Sequence, residues 1–273
     1  MPSPIQFSQA SLQDYADCPR RYQLRFVLMQ PWPALITGSP KDAERHLQRG
    51  ADFHRLVHQH NVGLEPSQIA VLVDADPILK RWWRTYLEHP PTDLPSTVLR
   101  PEVVLSSPVA GHRLVARLDL LAVEPGSRAV VVDWKTSLRR PARSALAQRL
   151  QTRVYRYLLV TAGAILNARC TVRPEQAEMI YWFCEFDGAT ERLPYDSDQF
   201  AADESYFTAT VREITSRRES IWPPTPHEDR CRFCSYQSLC ERRVKPAFLD
   251  DLEDDQEMEL PEIDIEQIAE VAF

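Results

Sequence analysis

The sequence predicts an α/β fold, a mixed central sheet flanked by helices, and three observations predict it. The apolar pattern changes period at Glu102, from helical spacing before it to strand-like runs after it. The stretch "PARSALAQRLQTRVYRYLLVTAGAIL" then returns to helical spacing, with Leu146, Leu150, Val154 and Leu158 on one stripe. A further apolar run, "EMIYWFCEF", reads as a strand and is followed by a last long helix.

Taken in order, Ser11 reads as the cap of a first helix, with Asp14 in its first turn and Leu12 and Tyr15 on its inner face. Pro19 starts a second helical segment in which Tyr22, Phe26 and Met29 recur at helical spacing. "QPWPALITGSPKDAE" reads as a loop from its proline and glycine content, and helices follow around "HLQRGADFHRLVHQH" and "ILKRWWRTYLE". "EVVLSSPVAGHRLVARLDLLAVE" reads as two strands joined by a turn at residues 108–111, and "RAVVVDWKT" as a third. Ser197 reads as the cap of the last helix, whose inner face carries Phe200, Phe207, Val211 and Ile214. A proline-rich link, "WPPTP", leads into "CRFCSYQSLC", and no internal repeat is visible.

A chain of 273 residues has ample material for a core, and it contains no apolar run long enough to span a bilayer. Its start, "MPSPIQFSQA", lacks the basic and apolar regions of a secretion signal, so the expected location is cytoplasmic, away from membranes. In a reducing compartment six cysteines serve metal binding more often than disulfides. The net charge of −7 conceals an asymmetry. Residues 247–273 hold eleven acids and no lysine or arginine, which leaves 32 basic and 28 acidic residues before them, a net of +4. A mildly basic body with a strongly acidic, disordered tail permits a polyanionic partner without requiring one.

The chemistry-bearing residues cluster at strand ends. Asp119 is placed at the end of one strand, and Asp133 and Lys135 at the end of the next. If those strands are neighbours the two carboxylates converge, and burying both costs several kcal/mol, of order 2–7, unless something neutralises them. A hard divalent cation does so, and oxygen ligands of this kind suit magnesium or manganese. Lysine supplies a point charge at the same spot; the bland alternative is a solvated Asp–Lys ion pair. His54 and His58 stand one helical turn apart, compatible with structural roles or with a zinc pair. Cys231, Cys234 and Cys240 have the spacing C-x₂-C-x₅-C, and Cys18 is the natural fourth thiolate to complete the set. Paired C-x₂-C knuckles, the usual zinc pattern, are missing, yet zinc stays open at this point. Cys170 and Cys184 read as ordinary buried cysteines.

In this order, "SLQDYADCPRRYQLRFV", "GADFHRLVH", "ARLDLLAV", "VVVDWKTS", "QTRVY" and "CRFCSYQSLC" resemble the motifs of the PD-(D/E)XK nuclease superfamily. The resemblance is specifically to its RecB-like branch with an iron–sulfur cluster, which includes the AddB nuclease domain and the exonucleases of CRISPR spacer acquisition. It covers about residues 8–242 and implies one nuclease domain, residues 1–246, with a restriction-endonuclease-like core. N- and C-terminal helical parts would be joined by the four-cysteine site. The resemblance makes His54, Asp119 and Asp133 metal ligands for magnesium or manganese, Lys135 the catalytic lysine, and Gln151 and Tyr155 the family's Q-x-x-x-Y pair. It makes Cys18, Cys231, Cys234 and Cys240 ligands of a 4Fe–4S cluster. Ala116 stands where the family often has glycine, and Leu118 where the superfamily has its nominal proline; neither change removes a functional group.

The implied activity is a metal-dependent deoxyribonuclease, an exonuclease on single-stranded DNA or DNA ends, in repair, recombination or CRISPR-type processing. A helicase or a CRISPR or repair protein is the implied partner. The alternative is a non-catalytic iron–sulfur or zinc DNA-binding subunit of a larger complex. Arg143, Arg149, Arg153 and Arg156, with Arg20, Arg21 and Arg25, are candidates to track a nucleic-acid backbone, and Trp82 and Trp83 either stack on bases or pack in the core. The tail's Ile265, Ile268 and Val271 are available to a protein partner, or the tail competes with DNA as a polyanion mimic.

Overall fold

A computed structural model describes residues 5–30, 40–240 and 242. The acidic tail anticipated at residues 247–273 lies outside the described residues. In chain order the elements are β1 (Gln6–Phe7), α1 (Gln9–Asp17), α2 (Pro19–Tyr22), α3 (Pro40–Asn61), α4 (Pro66–Val73), α5 (Pro77–Glu88), β2 (Val98–Val109) and β3 (His112–Glu124). They continue with β4 (Arg128–Lys135), α6 (Arg143–Gln148), α7 (Leu150–Ala162), β5 (Ala177–Phe183), β6 (Ala189–Pro194) and α8 (Ser197–Ser216). The chain divides into two compact units, one of Met1–Gln9 and Ser39–Ile221, the other of Ala10–Gly38 and Trp222–Phe273.

The first unit is built on a mixed sheet, as the pattern of the sequence predicts, with six strands where the sequence reads four. β2 and β3 form an antiparallel hairpin paired from Val98↔Val123 to Val109↔His112. Its two-residue turn, at Ala110 and Gly111, uses positive φ at both positions, +49° and +83°, the twist that a tight hairpin requires. β4 runs antiparallel to β3 only from Leu120↔Val132 to Glu124↔Arg128, and parallel to β5 along its whole length. β1 lies parallel to the start of β3, at Arg113 and Leu114. Because β2 occupies one edge of β3, β1 and β4 share the other, and Asp119 falls just beyond the rung where β4 stops pairing.

Alternation along β4 decides which side chains enter which layer. Val130, Val132 and Trp134 join Leu120, Ile180 and Trp182 in a core closed by Phe53, Leu56 and Val57 of α3 and by Trp82, Trp83 and Tyr86 of α5. Both tryptophans of α5 are therefore core residues and not base-stacking platforms; each buried large side chain contributes roughly 1.5–3 kcal/mol. α7 covers the opposite face and supplies the crossover that parallel β4 and β5 need, its stripe of Leu150, Val154 and Leu158 buried with Leu146 of α6. α8 packs against α7 through Tyr157 and Phe207, with ring centroids 5.2 Å apart.

Several local expectations need correction. α1 begins at Gln9, so Ser11 sits buried within its first turn instead of capping it. α3 begins at Pro40, inside the stretch read as loop; proline's fixed φ suits a first helical turn. The single helix expected over residues 141–166 is two helices, because Arg149 between them has extended backbone, ψ 139°. Asp196, one residue before Ser197, caps α8 by accepting a hydrogen bond from the Gln199 amide at 2.7 Å. The strand read through residue 186 ends at Phe183 and continues as a 3₁₀ turn. Cys184 is buried as read, but Cys170 is exposed, in the segment after α7 where Ala168 and Arg169 have positive φ.

In the second unit Tyr22 stacks on Trp222, with centroids 5.7 Å apart and planes 3° from parallel, and Tyr15 meets both rings edge-on. α2 starts at Pro19 and continues into a π-helical turn, Gln23–Val27. No helix among the described residues is long and apolar enough to cross a membrane.

Candidate active site

The site forms where β3 and β4 part. One step beyond Leu120↔Val132 the regular ladder would pair Asp119 with Asp133, but the Trp134 amide instead donates to Asp119 Oδ2 at 3.0 Å. A side chain thus replaces a ladder bond, and the two carboxylates are left facing each other across the opening. Asp133 and Lys135, two residues apart on β4, point to the same face, toward α7. Asp133 is 3% exposed.

α3 brings His54 to this opening, with Nδ1 3.2 Å from Asp119 Oδ2. Gly50, one turn earlier, permits the approach: a Cβ there would lie 3.0 Å from Thr136 Oγ1, while His46 Nε2 pins the same helix to the Thr136 carbonyl at 3.0 Å. From the other face, Gln151 of α7 donates through Nε2 to Asp133 Oδ1 at 2.8 Å and accepts from Lys135 Nζ at 3.0 Å. Tyr155, one turn on, accepts from the same Gln151 amide at 3.3 Å. His54, Asp119, Asp133, Lys135, Gln151 and Tyr155 are all brought together.

Charge balance follows from this geometry. Burial opposes the charged His54 ring, yet Asp119 beside it overrides burial and raises its pKa to about 9. Burial likewise opposes the Asp119 carboxylate, but His54, the Trp134 amide and Lys135 hold it below the ordinary carboxylate range. Asp133 goes the other way: burial and the neighbouring Asp119 push its carboxyl up, and Lys135 only partly compensates. Lys135 Nζ lies 3.1 Å from Asp133 Oδ2 but off the hydrogen-bonding direction, so that buried oxygen accepts no hydrogen bond. A buried carboxylate oxygen with only the Lys135 ammonium beside it, opposite a second carboxylate, is a group that a hard divalent cation satisfies, so these residues fit one. Among the described residues no group of three or more His, Cys, Asp or Glu side chains is gathered closely enough to hold a metal ion as it stands.

Three contributors escape a reading by motif. Tyr181 of β5, fully buried, donates to Gln151 Oε1 at 3.3 Å, and its ring lies 5.4 Å from Lys135 Nζ. Thr152 lies 2.7 Å from the same hydroxyl. Glu102 of β2 occupies the rung opposite Asp119, between Pro101↔Leu120 and Val103↔Leu118, with φ +51°. Burial and Asp119 raise its pKa, and Arg117 Nε meets its Oε2 at 3.1 Å. Equal steps counted from the Ala110–Gly111 turn lead to this pair, a signal already present in the sequence. His58, one turn after His54, has a buried Nδ1 that makes no hydrogen bond.

The arginines expected to track a polyanion are largely committed to the fold. Arg156 is 4% exposed and donates to the Thr152 and Pro194 carbonyls; Arg153 pairs with Asp203 at 2.5 Å; Arg143 meets Glu191 at 3.5 Å. In the second unit Arg21 and Arg25 pair with Asp14, and Arg20 donates to Gln23. That unit also gathers Cys18, Cys231, Cys234 and Cys240 around one cavity, with Arg21, Arg230, Arg242 and Thr225 in its wall. The Thr225 amide and Arg242 Nη1 donate to sulfur, to Cys18 Sγ at 3.3 Å and Cys231 Sγ at 3.5 Å. Burial pushes the Cys234 thiol up to about 11.

Among solved structures, a protein from Eubacterium rectale named as a presumptive exonuclease shares the fold, with a TM-score of 0.52 at 10% identity over 89% of this chain and 91% of that one. The crystal structure of SSO0001 aligns with a TM-score of 0.38 at 13% identity over 88% and 87% of the respective chains. No curated protein sequence matches. A sequence profile described as the PD-(D/E)XK nuclease superfamily matches residues 6–241, a span that holds every side chain of the site above. The chain therefore belongs to the PD-(D/E)XK nuclease superfamily, hydrolytic nucleases that generally use divalent metal ions such as Mg²⁺.

Proposed function

We propose that the chain is a Mg²⁺- or Mn²⁺-dependent deoxyribonuclease of the RecB-like branch. It acts as an exonuclease on single-stranded DNA or DNA ends, in repair, recombination or CRISPR-type processing. The observation that carries the reading is the connected network of His54, Asp119, Asp133, Lys135 and Gln151 at the opening between β3 and β4. The choice of branch, substrate and pathway rests on the order of motifs in the sequence.

His54, Asp119 and Asp133 would hold the cation. When bound, a divalent cation supplies Lewis-acid polarisation of the phosphodiester and makes ionising the attacking water less costly. Lys135 places its ammonium where charge develops on the phosphate. Gln151 holds Lys135 and Asp133 in mutual register through one amide, and Tyr155 and Tyr181 fix which way that amide faces. The two units serve as one nuclease domain, residues 1–246.

The four thiols around one cavity support a 4Fe–4S cluster with a structural role, held by Cys18, Cys231, Cys234 and Cys240. Arginines in the wall and N–H donors to sulfur suit a thiolate-ligated, anionic group. Metal analysis of anaerobically purified protein is expected to find iron and sulfide with visible absorbance; stoichiometric zinc instead would replace the cluster by a zinc site. For the nuclease reading, Lys135→Ala should lower Mn²⁺-dependent cleavage of labelled DNA by about 10²–10³-fold while DNA binding persists. Full residual activity in that variant refutes the scheme.

A further inference from the structure

Glu102 is a strained residue in an otherwise regular hairpin. The pairing of β2 with β3 keeps its register on both sides of Glu102, so neither an insertion nor a slip forces its backbone. Its φ of +51° is nonetheless in the left-handed region, which a non-glycine residue adopts only at a cost in backbone energy. The positive φ at Ala110 and Gly111 belongs to the hairpin turn, whereas Glu102 lies within the strand, away from any turn.

The strand order gives the position its meaning. β2, β3 and β4 are neighbours, and continuing the register past Pro101↔Leu120 and Leu120↔Val132 brings Glu102, Asp119 and Asp133 into line across them, three acids in a row. Like charges directly opposite each other on a sheet repel. Glutamate is one methylene longer than aspartate, enough to extend over the gap of about 4.8 Å between strands. Its present counter-ion, Arg117 on the same face of β3, has a side chain 47% exposed, so its guanidinium has a solvated alternative.

We propose that Glu102 is a further carboxylate of the cation site, flanking Asp119 on the side away from Asp133, and that Arg117 is the counter-ion it releases when the cation binds. The inference rests on the proposed cation site at Asp119 and Asp133. It explains why an acid is kept where glycine would relieve the backbone: the carboxylate is needed at that rung.

The experiment is Mn²⁺ titration of the full chain by calorimetry, with free Mn²⁺ followed by electron paramagnetic resonance. Glu102→Gln and Glu102→Gly should each weaken Mn²⁺ binding about 10- to 100-fold, the range for residues that support a metal site. Glu102→Gly should melt no lower than the parent, since glycine accepts the positive φ. Arg117→Ala should tighten Mn²⁺ binding, because a competing cation is removed. Unchanged Mn²⁺ affinity in Glu102→Gln overturns the inference. So does a weakening in Arg117→Ala, the behaviour of a pair that only holds the hairpin together. Asp133→Asn separates the two levels: if it abolishes binding while Glu102→Gln does not, only the role of Glu102 falls. If Asp133→Asn leaves binding unchanged, the underlying site falls with it.

Discussion

Gly50 shows how a residue with no functional group conditions the chemistry. It is buried on α3 against Thr136, at the end of the strand that carries Asp133 and Lys135, and it lies one turn before His54. Alanine gains about 0.5–1 kcal/mol over glycine in a helix interior, but its Cβ would press on Thr136 Oγ1 at 3.0 Å. The two effects nearly cancel in stability, while the helix shifts and carries His54 away from Asp119. Gly50→Ala is therefore expected to keep a melting temperature within a few degrees of the parent and to lose activity and Mn²⁺ affinity; parallel melts and assays check it. Gln151 behaves differently, because its amide is both donor and acceptor at the centre of the network. Gln151→Leu leaves Asp133 Oδ1 without that donor, and should cost about 1–3 kcal/mol in urea unfolding together with activity.

At the scale of elements, α5 carries the aromatic wall of the core, and its start is secured by one side chain. Asp76 accepts from the Ile78 and Leu79 amides at 2.9 and 3.2 Å and pairs with Arg49 at 2.6 Å. Burial works mildly against the Asp76 carboxylate, but Arg49 and the two amides hold its pKa below the ordinary carboxylate range. A depressed carboxylate stabilises the folded state above its unfolded pKa of about 3.9, and the contribution is lost as pH falls through the lower, folded value. Asp76→Ala should thus cost about 1–2 kcal/mol at neutral pH, with the gap to the parent closing in strong acid. Urea unfolding at pH 7 and near pH 3 measures both. The elements that the sequence hid are short or polar. α4 is flagged only by its capping box of Glu65 and Gln68, since exposed Val71 and Leu72 blur the helical stripe, and β6 is only half-buried.

For the whole molecule, the distribution of charge matters more than its sum. The formal charge of −7 arises from an acidic tail on a body of net +4. Removing residues 247–273 reverses the sign of the net charge an approaching polyanion meets, an effect that salt screens beyond a Debye length of about 10 Å at 0.1 M. The shortened chain should bind single-stranded DNA more tightly at low salt, with the difference fading at high salt; fluorescence anisotropy across a salt series tests it. Equal affinity at low salt would show that the tail does not compete with DNA. The pairing of Arg153, Arg156, Arg21 and Arg25 inside the fold places less of the basic charge at DNA's disposal than a count of arginines implies.

The sequence by itself determined the class of fold, the order of the central strands and helices, the six candidate residues of the cation site and the four cysteines. The fold class and the order of elements are written in local periodicity, which survives without knowledge of any contact, whereas the candidate site residues rest on the resemblance of the motifs and their order to a known family. Only the tertiary structure decided that β3 and β4 separate at Asp119, that Gln151 bridges Asp133 and Lys135, and that Tyr181 and Glu102 belong to the same neighbourhood. It also decided that Trp82, Trp83 and Arg156 are buried parts of the framework and not surfaces for DNA. The reason is that register, burial and pairing depend on partners distant in the chain, and a residue type alone does not say which partner it will meet.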